Sequence, residues 1–145
     1  MPPAPTSFPV ADPIAFLTGS WRVAREVHDD HSGLDGEFTG VARFVPEGDG
    51  LVWIETGHLR LGSHEGEASR TLRIVPEGDG WAVCFEDGRA FHPLDLRSGV
   101  SVVDHPCGED HYVGGLRAES RDAVEIRWRV SGPTKDQTIV SRYTR

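Results

Sequence analysis

From Trp21 onward the chain alternates between apolar and polar positions. Trp21, Val23 and Val27 fall on one side of an extended segment, and Arg22, Ala24 and Glu26 on the other. A period of two is the signature of a strand. The same period recurs over 37–44, 51–61, 71–75, 81–86, 89–94, 100–104, 110–116, 123–130 and 138–144. It is clearest where Val124, Ile126, Trp128 and Val130 alternate with Glu125, Arg127 and Arg129. About ten short strands at regular spacing predict an all-β barrel or sandwich. Only one segment reads as helix. Asp12 precedes Pro13, then come Ile14, Phe16 and Leu17, and Gly19 ends the run. An N-cap, a proline at the first helical position and a closing glycine predict about two turns.

The punctuation between strands is equally regular. Val45-Pro-Glu-Gly-Asp-Gly50 recurs without change as Val75-Pro-Glu-Gly-Asp-Gly80, which reads as one good hairpin loop used twice. Asp87-Gly88 predicts a two-residue hairpin. Strands joined this way, with one short helix in front, predict an antiparallel up-and-down barrel, because closure removes exposed edges. Barrels of this size can hold one small ligand. Residues 1–11 are rich in proline and read as a flexible or extended lead-in, leaving 12–145 as a single domain.

Charge narrows the choice of partners. Among 145 residues there are 23 acidic and 15 basic side chains, for a net charge of −8. That argues against the basic stripe a nucleic acid requires and against an anionic membrane surface. No apolar run is long enough for a transmembrane helix. Two cysteines make no disulfide framework, and the N-terminus lacks a secretory pattern. The expectation is a cytoplasmic protein with reduced thiols.

Gly19-Ser20-Trp21, a Gly-x-Trp opening the first strand after a short helix, resembles the signature of calycins: lipocalins, fatty-acid-binding proteins and nitrobindin-like barrels. Asp87-Gly-Arg-Ala-Phe-His92, His105-Pro-Cys107, Asp110-His-Tyr112, Gly132-Pro-Thr-Lys-Asp136 and Tyr143-Thr-Arg145 follow in order. This set resembles a bacterial domain family of unknown function, common in actinobacteria, from Phe16 to the C-terminus. The resemblance implies a calycin-like barrel. It also implies that Trp21 plugs the closed end and that an arginine of the last strand, Arg145 or Arg142, covers it. Arg145 shares the face of Tyr143 and is favoured.

With Trp21 inward, alternation carries Arg25 inward too, and an interior guanidinium needs an acid or a ligand anion. On the third strand Leu51, Trp53 and Glu55 share the larger face, so Glu55 is the expected partner, as a structural pair or as part of a ligand clamp. A two-residue Asp87-Gly88 loop sets Val83 opposite His92, Cys84 opposite Phe91 and Glu86 opposite Arg89. His92 then faces inward beside Phe85, and Glu86 pairs with Arg89. Tyr112, Trp128 and Tyr143 complete an aromatic cavity with a few polar groups, the usual make-up of a small-molecule site, and Asp110 lies at its rim.

The predicted function is therefore binding of a small amphipathic or aromatic molecule with an anionic group. Arg25, and Lys135 from a mouth loop, meet the charge; Trp53, Phe85 and Trp128 form the wall. An alternative on the same cavity is an isomerase, cyclase or hydrolase. There His92 is the acid or base, Tyr112 an oxyanion donor and Asp110 or Glu55 the orienter. A third is haem on His92. His105, Cys107 and His111 carry metal-ligating atoms but match no standard metal spacing, so no metal residues are assigned.

Overall fold

The computed structural model describes residues 7–145. Asp12 caps helix α1 (Pro13–Leu17), its Oδ1 accepting from the backbone N–H of Ile14 at 3.1 Å and of Ala15 at 3.2 Å. Proline at the first position needs no partner for a missing N–H, so this short turn forms where the sequence places it. The strands are β1 (Gly19–Asp29), β2 (Asp35–Glu47), β3 (Gly50–Leu61), β4 (His64–Glu77) and β5 (Gly80–Phe85). They continue as β6 (Ala90–Leu94), β7 (Val100–Cys107), β8 (Asp110–Ser120), β9 (Ala123–Ser131) and β10 (Asp136–Thr144).

All ten form one antiparallel sheet in the order β6-β5-β4-β3-β2-β1-β10-β9-β8-β7. The first strand pairs with the last, from Arg22 opposite Thr144 to Asp29 opposite Gln137. The sheet is thus a nearly closed up-and-down barrel, as the alternation predicts, and the gap lies between β6 and β7. Both copies of the repeated hexapeptide are two-residue hairpins, with Glu47 facing Gly50 and Glu77 facing Gly80. Gly48 and Gly78 lead these loops at φ +58° and +56°, a conformation that favours glycine. β4 starts at His64 rather than at Thr71. Its first half turns Gly66, Ala68 and Arg70 to the inner face, too little apolar bulk to read as a stripe.

The N-terminal stretch is tied down where it is described. The Phe8 N–H donates to the Ala118 carbonyl at 2.7 Å, and the Val10 N–H to the Leu96 carbonyl at 2.9 Å. Residues 8–10 therefore join the loop after β6 to the end of β8. Gly99 permits the approach: its φ is +88°, and a Cβ there would stand 2.8 Å from the Phe8 nitrogen. Residues 1–6 of the expected lead-in lie outside the described residues. Among the described residues no helix is long and apolar enough to cross a membrane.

Trp21 closes the helix end of the barrel. It is buried, and its Nε1–H donates to the Leu17 carbonyl at 2.8 Å. The Arg145 guanidinium lies 3.9 Å from the centroid of the Trp21 ring and 5.4 Å from that of Phe16. Arg142 points outward to Glu119 and Glu125. Arg145 is therefore the arginine over the tryptophan, tying the end of β10 to the start of β1. Replacing it, Arg145→Ala, should remove about 1 kcal/mol of cation–π and covering interaction and lower the Tm by roughly 2–4 °C. Thermal unfolding followed by circular dichroism checks this, and an unchanged Tm would deny Arg145 a part in closure.

Candidate functional site

A carboxylate stands in the middle of the barrel. Alternation along β3 turns Leu51, Trp53 and Glu55 inward, and Glu55 is 2% exposed. Arg25, inward on β1, meets it with two parallel hydrogen bonds, Nη1 to Oε1 at 3.0 Å and Nη2 to Oε2 at 2.5 Å. Its Nε donates to Ser141 Oγ at 2.7 Å. Arg70, directly opposite Glu55 in the β3–β4 ladder, brings a second guanidinium to within 3.1 Å of Oε1. The Tyr143 hydroxyl donates to Oε2 and accepts from Trp53 Nε1 at 3.0 Å. The expected Arg25–Glu55 pair is thus present, and its other members, Arg70 and Ser141, are additions. Arg70 lies in a strand segment that shows no apolar stripe, so the alternating pattern does not assign it, and Ser141 carries no signal beyond its face.

Burial alone pushes the Glu55 carboxyl up, but the Arg70 charge and the hydrogen bonds from Arg25 and Tyr143 outweigh it and hold it below the ordinary carboxylate range. Burial also opposes the Arg25 charge, and Glu55 again outweighs it, raising the guanidinium further. Tyr143 is pushed well above its usual value by burial and then by the Glu55 charge, so it remains a donor. Two guanidiniums facing one carboxylate leave a single positive charge inside the barrel.

The wall beyond these charges is aromatic, and its geometry comes from the β5–β6 turn. The Asp87-Gly88 connection has three residues rather than two. The Phe85 carbonyl accepts from Gly88 N–H at 2.9 Å, the Phe85 N–H donates to Arg89 O at 2.8 Å, and Gly88 has φ +90°. This sets Cys84 opposite Ala90, yet Val83 still faces His92. The residue skipped between them is Phe91, the extra residue of a β-bulge. The longer loop and the bulge cancel, so His92 faces inward as expected, and Phe91 turns inward with it. The Glu86–Arg89 pair does not form: Arg89 bonds to Asp87 at 2.7 Å, and the Glu86 carbonyl accepts from Arg73 at 2.7 Å.

Phe91 sits at the centre of the aromatic group, its ring 4.7 Å from Phe85, 5.3 Å from Tyr112 and 5.4 Å from Trp128. His92 packs 5.3 Å from Trp128. Its Nδ1 lies 2.7 Å from the Pro93 carbonyl, which can only accept, so the proton is on Nδ1 and the lone pair on Nε2. Burial pushes the His92 pKa down, and the Pro93 bond offsets this only in part. A cavity of about 20 Å³ remains between Arg25, Arg70, Trp53, Phe91, His92 and Trp128, room for about one water.

The barrel therefore gathers Arg25, Trp53, Glu55, Phe85, His92, Tyr112, Trp128 and Tyr143. It does not bring Asp110 to His92. Asp110 pairs instead with Lys135 at 3.0 Å, which raises the lysine's pKa. His105 and Cys107 face inward on β7, while His111 faces outward and bonds to Asp104. Among the described residues no three His, Cys, Asp or Glu side chains are placed to hold one metal ion.

Two outcomes follow for stability. Glu55→Ala leaves the largely buried Arg25 guanidinium without its carboxylate and should cost roughly 3–5 kcal/mol in urea unfolding, against less than about 1 kcal/mol for the exposed Arg129→Ala; equal losses would mean Glu55 is not what holds Arg25. His92 has a folded pKa below its ordinary 6.5, so the folded state resists its protonation. Its stabilisation is complete above that pH and is lost as pH falls through the folded value. Tm measured from pH 7.5 to 5 should fall less steeply in His92→Gln than in wild type, and identical slopes would contradict this.

No curated protein matches the chain. In fold it is similar to the S-type phycobiliprotein lyase CpeS of Guillardia theta, with TM-score 0.64 and 11% identity over 95% of this chain and 93% of that one. A de novo designed fluorescence-activating β-barrel aligns with TM-score 0.49 and 16% identity over 94% of this chain and 99% of that one. A redesigned β-barrel bound to DFHBI aligns with TM-score 0.48 and 14% identity over 91% of this chain and 97% of that one. At the level of sequence the match is direct over residues 17–145: the chain belongs to the family of unknown function DUF6314.

Proposed function

We propose that this barrel binds a small, largely aromatic molecule bearing an anionic group. The observation that carries the reading is the sharing of one carboxylate, Glu55, between Arg25 and Arg70. The uncompensated charge lines the same cavity as Trp53, Phe91 and Trp128. An excess positive charge that faces an aromatic cavity attracts a ligand anion. Arg70 is the member free to serve: its side chain is 46% exposed, whereas Arg25 has Nε, Nη1 and Nη2 all engaged. The CpeS neighbour is a phycobiliprotein lyase, and a shared fold supports a small-molecule ligand only in general terms. Lys135, tied to Asp110 at the rim, serves as a second contact once that pair opens. An intracellular setting, with Cys84 and Cys107 both free, belongs to the same proposal.

The enzymatic alternative asks His92 for acid–base work. Its Nδ1 is engaged by a backbone carbonyl rather than a carboxylate, and Asp110 is held elsewhere. The free Nε2 lone pair suits it better to accept a hydrogen bond from a ligand.

The test compares two probes of similar shape, 1-naphthoate and 1-naphthalenemethanol, titrated into wild type and Arg70→Gln with tryptophan fluorescence as the signal. Arg70→Gln should weaken naphthoate about tenfold, equivalent to about 1.4 kcal/mol, and leave the alcohol unchanged. Equal affinities for naphthoate in both proteins would refute the charge reading.

A further inference from the structure

A cavity of about 20 Å³ admits no arene unless a side chain of its aromatic lining moves. We propose that the slot filled by the Phe91 ring is the binding place of the ligand's own aromatic ring, and that Phe91 vacates it through the β6–β7 opening. The inference rests on the binding reading above and deepens it: the ligand is a planar arene carrying a carboxylate.

The slot has the shape of a ring. Phe85 lies nearly parallel to Phe91, at 16° and 4.7 Å, and Trp128 at 28° and 5.4 Å. Tyr112 meets its edge at 76° and 5.3 Å, and His92 at 71° and 4.7 Å. His105, across the seam on β7, adds a third edge contact at 66° and 6.0 Å. Two stacked faces and three edge contacts satisfy the quadrupole of any flat arene. The slot also adjoins the charged residues, since Phe91, Arg25 and Arg70 line one cavity. An arene there places a carboxyl substituent toward the two guanidiniums.

Phe91 is the residue of this wall least held by the sheet. As the extra residue of the bulge it has no partner on β5. On its other side β6 has no ladder to β7, the one open seam in the strand order. Pro93 lacks an N–H, and the Asp95 N–H donates to the Ser101 hydroxyl at 3.1 Å, so beside Phe91 the seam is bridged by a side chain and not by a backbone ladder. The ring can therefore swing outward without breaking a run of strand hydrogen bonds. Trp128, by contrast, sits in the continuous β8–β9–β10 ladders opposite Gly114 and Ile139.

If Phe91 occupies the slot in the free protein, it competes with the ligand, and only the fraction with the slot open binds. Phe91→Ala removes the competitor and leaves an apolar void, the kind that takes up arenes. The experiment titrates 1-naphthoate and 1-naphthalenemethanol into wild type and Phe91→Ala, each shown to be folded by near-ultraviolet circular dichroism. Phe91→Ala should bind both probes at least about tenfold more tightly. Shift changes in NMR spectra of the labelled protein should fall on Phe85 and Trp128. A folded Phe91→Ala with no gain, or shifts confined to the outer surface, overturns the proposal. Equal gains for both probes with no preference for naphthoate uphold the slot while removing the carboxylate recognition. Should Phe91→Ala not fold, Phe91→Leu takes its place with a gain of at least about threefold, and no gain there overturns the proposal equally.

Discussion

A carboxylate in the middle of a barrel must be answered from several strands at once. Glu55 projects from β3, and its donors arrive from β1, β4 and β10. In the strand order β10 is separated from β3 by β1 and β2, so Tyr143 reaches it across the interior. A slip of one residue in any of these strands turns its donor to the outside, and a slip of β1 also takes away the bidentate Arg25 partner of a buried carboxylate. The interior ion group therefore specifies register in a way that a purely apolar filling would not. Trp53 extends the constraint, because its indole N–H is satisfied by the same Tyr143 oxygen.

The two ends of the barrel meet different demands. At the helix end Leu17, Trp21 and Arg145 form a plug with its polar atoms satisfied, in the region where β1 and β10 are laddered. At the level of Phe91 the wall is held by ring packing rather than by backbone, because the sheet does not close between β6 and β7. Stability elsewhere makes this tolerable: the strap at Phe8 and Val10 ties the chain on either side of the seam. Edge strands left open invite pairing with other chains. Here β6 is short and carries Pro93, which limits that hazard on its side of the gap.

The alternating pattern made most of this legible. It gives the ten strands, the inward face of β1 and β3, and hence the meeting of Arg25 and Glu55, because side-chain direction along a strand follows from position alone. What it does not give is anything that depends on loop geometry. Asp87-Gly88 reads as a two-residue turn, whereas the chain uses three and then inserts Phe91 as a bulge. His92 keeps its predicted face only because the two departures cancel. Arg70 shows the other blind spot. Half of β4 is lined by glycine and alanine, so its strand character comes from its neighbours' ladders and not from its own residues. The two residues on which the inferences about the ligand chiefly rest, Phe91 and Arg70, are the ones that local pattern could not assign.

The sign of the charge separates the inside from the outside. The chain as a whole carries −8, while the group around Glu55 carries one positive charge. Beyond about 8 Å in physiological salt, exposed charges are largely screened, so the surface neither attracts an anion nor bars one with much force. At contact distance, with the aromatic wall on one side, the same single charge on half-exposed Arg70 acts more strongly than it does across solvent. Recognition of a carboxylate on the proposed reading is therefore a late event. The apolar ring must first displace Phe91 and enter between Phe85 and Trp128, and only then does its substituent meet Arg70. The aromatic slot selects by shape, and the buried charge discriminates among the molecules that the slot has already admitted.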